Sequence, residues 1–261
     1  MKNKVLEKLN KGERVVGTFL EMEDANLVEC IGLAGLDFFI IDTEHGPYDV
    51  SHSVEMVRAA LLHGVTPFAR VKDASRPSIL KMLDIGVQGL IIPNIHSIDE
   101  VKALISYGKY FPEGERGVSL GREGGWGYAP IVDGHPITEF MAEQNRETML
   151  IPQCETLGCL ADIENIAALP GVAGIFLGPI DLSTELGRPC DYENPEFIAA
   201  VDRIIAACKA AEKPLFVFCA DNETAKLRFR QGFDAVAVGT DAGILIGALR
   251  HMAADVLQGE E

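Results

Sequence analysis

FFIIDTEHGPYD (38–49) is the stretch on which the fold turns. Four apolar residues, Phe38 to Ile41, run straight into Asp42, Thr43, Glu44, His45 and Gly46. An unbroken apolar run of this kind reads as a strand buried on both faces, the pattern of a parallel sheet. Gly46 and Pro47 are enough to turn the chain. Two acids and an imidazole at the rim of a core do not serve a turn and call for another explanation.

Runs of the same kind recur along the chain: VVGTFL (15–20), TPFARV (66–71), GLIIPN (89–94), TMLIPQ (148–153), AGIFLGP (173–179), PLFVFCA (214–220) and AVAVGT (235–240). The segments between them have helical periodicity. SVEMVRAALLHG (53–64) puts Val54, Val57, Leu61 and Leu62 on one stripe and stops at a glycine. SRPSILKMLDIG (75–86) opens on a capping serine, and Ser97 stands three residues before Glu100 at the spacing of a capping box. Residues 194–212 and 241–257 read as two further helices. Eight strand-like runs alternating with helices predict an α/β chain forming a single (β/α)8 TIM barrel over 1–261. A doubly wound open sheet ranks second, since no GxGxxG follows the first strand. The stretch 111–136 breaks the rhythm, is rich in glycine and holds the chain's one tryptophan; a loop of this length is a candidate lid or binding loop, or an irregular surface segment.

The chain has 39 acids against 23 Lys and Arg, a net charge of -16, which excludes a nucleic-acid footprint. It still permits an anionic substrate, because a few local cations can dominate one pocket. Nearly half the residues (48%) are hydrophobic, enough for a large core. The first residues lack the apolar segment of a secretory leader, and no run is long enough for a membrane span. The six cysteines are scattered without a CxxC pair, so free thiols in the cytoplasm are expected rather than a disulfide framework. Cys154 and Cys159 lack the second ligand pair of a structural zinc site.

In a barrel of this kind the active site lies at the carboxyl ends of the strands. That end gathers Asp42 and His45 after the second run, Arg70 and Lys72 after the third, Gln153 and Glu155 after the fifth, and Gly178 to Asp181 after the sixth. Glu155 and Asp181 are oxygen donors of the sort a hard divalent cation takes. Singly, each also reads as a helix cap; beside Arg70 and His45 they read as a site. Arg70 is a permanent cation suited to a carboxylate or an oxyanion, or to a structural ion pair with a nearby acid. His45 can act as a base near neutral pH.

With GTFLEM (17–22), DTEHG (42–46), ARV (69–71), MLDIGVQGLIIP (82–93), IPQCET (151–156) and LGPIDLS (177–183), the chain resembles the HpcH/HpaI aldolases over nearly its whole length. The resemblance implies a divalent metal (Mg²⁺, Mn²⁺ or Co²⁺) on Glu155 and Asp181, and reversible cleavage of a 4-hydroxy-2-oxo acid to pyruvate and an aldehyde through a metal-stabilised pyruvate enolate. It implies that Arg70 binds the keto oxygen, that Gln153, Ile180 and Asp181 help hold substrate, and that His45 moves the proton with the aid of Asp84. It also implies a homo-oligomer, a hexamer or trimer, with the carboxy-terminal helix packed on a neighbour. The segment after ERGVS departs from the usual small, arginine-containing pattern, which leaves the aldehyde open; Arg122 is either a ligand for a distal carboxylate or a solvated loop arginine. Two other chemistries stand as alternatives: a Schiff-base aldolase using Lys72, and an acyl-CoA lyase of the malyl-CoA or citramalyl-CoA type, which needs a basic surface that this acidic chain does not display.

Overall fold

The computed structural model describes residues 2–22 and 24–258. Its strands are β1 (Val15–Leu20), β2 (Phe38–Asp42), β3 (Thr66–Arg70), β4 (Gly89–Ile92), β5 (Met149–Cys154), β6 (Ile175–Leu177), β7 (Leu215–Cys219) and β8 (Ala235–Thr240). Its helices are α1 (Lys4–Asn10), α2 (Ala25–Leu33), α3 (Val50–His63), α4 (Arg76–Asp84), α5 (Ile98–Gly108), α6 (Ile137–Glu147), α7 (Leu157–Ala161), α8 (Ile163–Ala168), α9 (Pro179–Glu185), α10 (Pro195–Ala210), α11 (Asn222–Gln231) and α12 (Asp241–Gln258). Each strand pairs in parallel with the next, and β8 returns to β1. The result is the closed (β/α)8 barrel that the sequence predicts.

The apolar runs are unbroken because the strands are buried on both sides. Phe38 and Ile40 join Phe68, Ile91, Phe176 and Phe216 in one cluster, while Phe39 and Ile41 pack with the helices in another. Rings from strands that are not neighbours meet: Phe38 and Phe216 lie 6.4 Å apart, Phe19 and Phe176 6.2 Å. The first cluster therefore fills the barrel interior, and each buried ring contributes about 2–3 kcal/mol. Gly17 and Gly89 make room for it. A Cβ on either would stand 2.5 Å from the ring of Phe38 or Phe68. Val5 of α1 enters the same cluster, so α1 plugs the amino end of the barrel.

Several local expectations shift. α3 begins at Val50 rather than Ser53, because Asp49 caps it by accepting the N–H groups of Ser51 and His52. Ser75 occupies the cap position of α4 but makes no cap bond; its hydroxyl pairs with Ser78 instead. Ser97 does accept the Glu100 N–H, while the Glu100 carboxylate accepts from His96 N–H, one residue earlier than a capping box would have it. β6 has only three residues, bounded by Gly174 and Gly178. α6 has no counterpart in the sequence-based reading; its buried side includes Gln144 and Asn145, which mask its periodicity.

Residues 111–136, open from sequence between a lid or binding loop and a surface segment, take a definite place. This stretch links the end of α5 to α6, so it folds under the amino end of the barrel, away from the strands' carboxyl ends. Arg122 donates to the Ile85 carbonyl at 2.7 Å, and Arg116 pairs with Asp84 at 3.0 Å. Within one chain the loop is no lid over the catalytic mouth, and Arg122 reaches no substrate there. No described helix is long and apolar enough to cross a membrane.

Candidate active site

The acids after Ile41 are explained by what sits beside them. Asp42 and Arg70 are register partners at the ends of β2 and β3. Arg70 donates from Nε and Nη2 to the two Asp42 oxygens at 3.0 and 2.7 Å, a two-pronged clamp. Glu44 stands 3.2 Å from the same Nε, and the guanidinium lies 5.0 Å from the Phe19 ring centroid. Burial works against the Arg70 charge, but the Asp42 bonds and the charges of Asp42 and Glu44 outweigh it and hold its pKa above the usual arginine value. Asp42 also accepts the Glu44 N–H, and Thr43 donates to the Arg70 carbonyl from both N–H and hydroxyl. The turn is thus built around the arginine. Nη1 takes no part in these bonds and has no hydrogen-bond partner among the described residues.

Glu155 is not a helix cap. Thr156 caps α7, accepting the Cys159 N–H at 3.0 Å, which leaves the Glu155 carboxylate to the site. One Glu155 oxygen accepts the Asn94 N–H at 2.6 Å; the other accepts from the Gln153 amide nitrogen. Gln153 Oε1 is buried without any hydrogen-bond partner. A Cβ on Gly178 would stand 2.5 Å from a Glu155 oxygen, so only glycine leaves the carboxylate its place. Burial raises the Glu155 pKa, the two hydrogen bonds lower it, and the charges of Asp181 and Glu44 raise it further. Glu44 is likewise raised by burial, against the pull of Arg70.

Asp181 lies in the first turn of α9. Gly178 occupies the cap position without a side chain to offer, so the N–H groups of Ile180 and Asp181 have no cap partner. A cleft of 260 Å³ opens here, lined by His45, Arg70, Gln153, Ile180 and Asp181 of the residues expected from sequence. Glu155 borders it through its contacts with Gln153 and Gly178. The imidazole of His45 is exposed at the rim and makes no hydrogen bond among the described residues. Phe19, Glu21, Phe218 and Thr240 line the cleft as well and were missed by sequence reasoning; their places at the carboxyl ends of β1, β7 and β8 were the available signal.

Two expected residues fall elsewhere. Asp84 ends α4, and the chain runs from there into the start of β4, so Asp84 sits at the amino end, paired with Arg116. It does not meet His45 within one chain. Lys72 is exposed and does not line the cleft, so it is not placed to serve as a Schiff-base lysine there.

The family model for HpcH/HpaI aldolase/citrate lyase matches residues 15–248. The chain belongs to this family. It is accordingly a carbon–carbon lyase. It is 31% identical to the hydroxypyruvate/pyruvate aldolase of Pseudomonas aeruginosa, over 96% of this chain and 91% of that one. It is 32% identical to the 2-keto-3-deoxy-L-rhamnonate aldolase of Escherichia coli O157:H7, over 95% and 90%. Among solved structures, an HpcH/HpaI aldolase from Desulfitobacterium hafniense DCB-2 superposes with a TM-score of 0.87 at 28% identity, covering 99% of this chain and 96% of that one. The citrate synthase SbnG superposes at 0.84 with 27% identity, covering 98% of each.

HpcH/HpaI class II aldolases are generally divalent-metal dependent. The described residues form no cluster of three or more His, Cys, Asp or Glu able to hold a metal. The donor set does fit a hard cation that keeps several waters: two carboxylates that repel one another, an unpartnered amide oxygen on Gln153, and a glycine whose missing side chain leaves the carboxylate room. Arg70 is committed first to Asp42 and Glu44; the Glu155 charge also acts on it, though less strongly than theirs.

Proposed function

We propose that the chain is a divalent-metal-dependent pyruvate aldolase that cleaves a 4-hydroxy-2-oxo acid reversibly to pyruvate and an aldehyde. The observation that carries this reading is the division of charge in the cleft: a clamped arginine on one side, and on the other a carboxylate pair whose donor atoms call for a cation. A divalent cation on Glu155 and Asp181 would supply a Lewis acid for the keto and carboxylate oxygens of the substrate.

The chain's own groups do the rest. Arg70, fixed through Nε and Nη2, presents Nη1 to the keto oxygen and favours the negative charge that grows on it. The uncapped N–H groups of Ile180 and Asp181, with the Gln153 amide, orient the substrate carboxylate. His45 accepts the proton of the C4 hydroxyl as the C3–C4 bond breaks. The electron pair of that bond passes to the C2 oxygen, the aldehyde forms at C4, and C3 is then protonated to give pyruvate. In the condensation direction His45 returns the proton to the new alkoxide.

Asp84 can assist a His45 only across an interface between two copies, which the expected homo-oligomer would provide. The exposed apolar residues of α12, Ile244, Ile246, Leu249 and Met252 among them, support such packing. The likeness to a citrate synthase favours a second reading, condensation with an acyl-CoA, but the acids that line this cleft, Glu21, Asp42 and Asp181, oppose a polyanionic cofactor.

The test offers metal-loaded protein pyruvate with a panel of aldehydes and follows release of pyruvate from candidate hydroxy-oxo acids. Turnover that survives exhaustive chelation refutes the metal-dependent reading, and turnover of acyl-CoA substrates alone selects the second.

A further inference from the structure

At the amino end of the barrel, opposite the catalytic mouth, lies a cleft of 760 Å³ whose lining includes Lys109 and Lys213 on its inner wall. Lys109 is 5% exposed and donates from Nζ to the carbonyls of Asn145 and Thr148, at 2.5 and 2.8 Å. Lys213 is half-buried and donates to the Val172 carbonyl at 2.7 Å. Thr148 and Val172 lead into β5 and β6, which are adjacent strands, so the two ammonium groups stand near each other. Neither forms an ion pair with a carboxylate among the described residues. Of the acids that line the cleft, Glu113 and Glu212 are exposed, and Asp234 is half-buried and accepts the Leu215 N–H at 2.9 Å.

An ammonium has three donors. The carbonyls occupy two on Lys109 and one on Lys213, so both retain N–H groups for a ligand. Buried charges without a counter-ion are costly, and proteins keep them paired as a rule. Burial lowers the Lys109 pKa to about 8; the charge of Glu113 pulls the other way, and the smaller effects of Arg116 and Lys213 press it down further. Burial lowers that of Lys213 too. The fold holds two positive charges together and does not neutralise them.

We propose that this cleft is a second binding site, for a small phosphomonoester whose phosphate lies between Lys109 and Lys213. Two separate point charges suit a dianion better than the single charge of a carboxylate, and lysine binds phosphate as a point charge. The volume is that of a metabolite rather than of a bare ion. Leu6, Leu9 and Ile205 give the organic part of the ligand an apolar wall. The site is independent of the aldolase reading, since no residue of the catalytic cleft takes part.

The experiment titrates phenyl phosphate into the full chain by calorimetry. Lys213→Met is the deciding variant, because Lys109 also ties down the end of α6. Saturable one-to-one binding that weakens at least tenfold in Lys213→Met, with aldol turnover unchanged, is the expected result. Absence of saturable binding overturns the site, and so does equal affinity in the variant, which would place the ligand elsewhere. Benzoate binding as tightly as phenyl phosphate overturns the choice of phosphate.

Discussion

Two arginines in this barrel have nearly the same neighbours and different work. Arg70, at the carboxyl end, meets Asp42 and Glu44 and lies over Phe19; Arg116, at the amino end, meets Asp84 and Glu123 and lies 4.5 Å from the Tyr110 ring centroid. The difference is in how the nitrogens are spent. Arg70 gives two nitrogens to one carboxylate and faces an open cleft. Arg116 gives a single nitrogen, Nη2, to both acids, its side chain is 1% exposed, and its Nε is buried with no partner. A residue set does not define a site; what matters is whether the cation keeps a free donor aimed at accessible space.

The comparison breaks or sharpens under mutation. The largest effect is expected at the rim beside Arg70. His45→Ala should lose aldol cleavage about 10²- to 10⁴-fold more than it loses oxaloacetate decarboxylation, which gives the same enolate without a hydroxyl proton to move. Both rates are measured on one preparation, and equal losses would reduce His45 to a shaping role.

Arg116→Met leaves Asp84 and Glu123 facing each other at a buried site. Breaking such a pair costs about 3–5 kcal/mol, so denaturant unfolding should show a large loss, while kcat of the folded protein should fall less than in His45→Ala, since only the hold on Asp84 is disturbed. A large kcat effect with full stability would reverse the assignment of the two arginines.

Arg70→Lys keeps the charge and loses the planar fork. It should cost about 2–4 kcal/mol of transition-state stabilisation, read from kcat/KM, with a smaller effect on thermal unfolding. Near-wild-type kinetics would make Arg70 a second structural knot like Arg116.

The smallest effect belongs to the cap. Thr156→Ala should lower stability by about 1–2 kcal/mol through loss of the bond to Cys159 N–H. Because Glu155 keeps its own partners, kcat should change little; a collapse in activity at unchanged stability would mean that Thr156, not Gly178 and Asn94, positions the carboxylate.

The strands were legible because each is buried twice over, so FFII or AVAV is apolar at every position. The clamp of Asp42 on Arg70 was within reach too, since both end their strands and adjacent strands pair in register. Asp84 and Arg122 could not be placed from the sequence for one reason: a motif can give a residue a role but not a chain, whereas their places between a helix and the next strand put them at the amino end. The four lining residues on β1, β7 and β8 and at their ends were hidden for another reason. Phe19 and Phe218 look like core, and nothing local marks the last inward ring of a strand as the floor of a cleft. The amino-end lysines left no pattern at all, because Lys109 and Lys213 are brought together only by barrel closure.

Gly178 has a consequence for anyone redesigning the enzyme. A library built across the mouth will find position 178 closed to every side chain, since the first carbon added evicts Glu155. Two residues on, Ile180 is half in solvent and touches no buried acid by hydrogen bond. Diversity spent at 180 meets no such barrier; diversity spent at 178 displaces the Glu155 carboxylate in every clone.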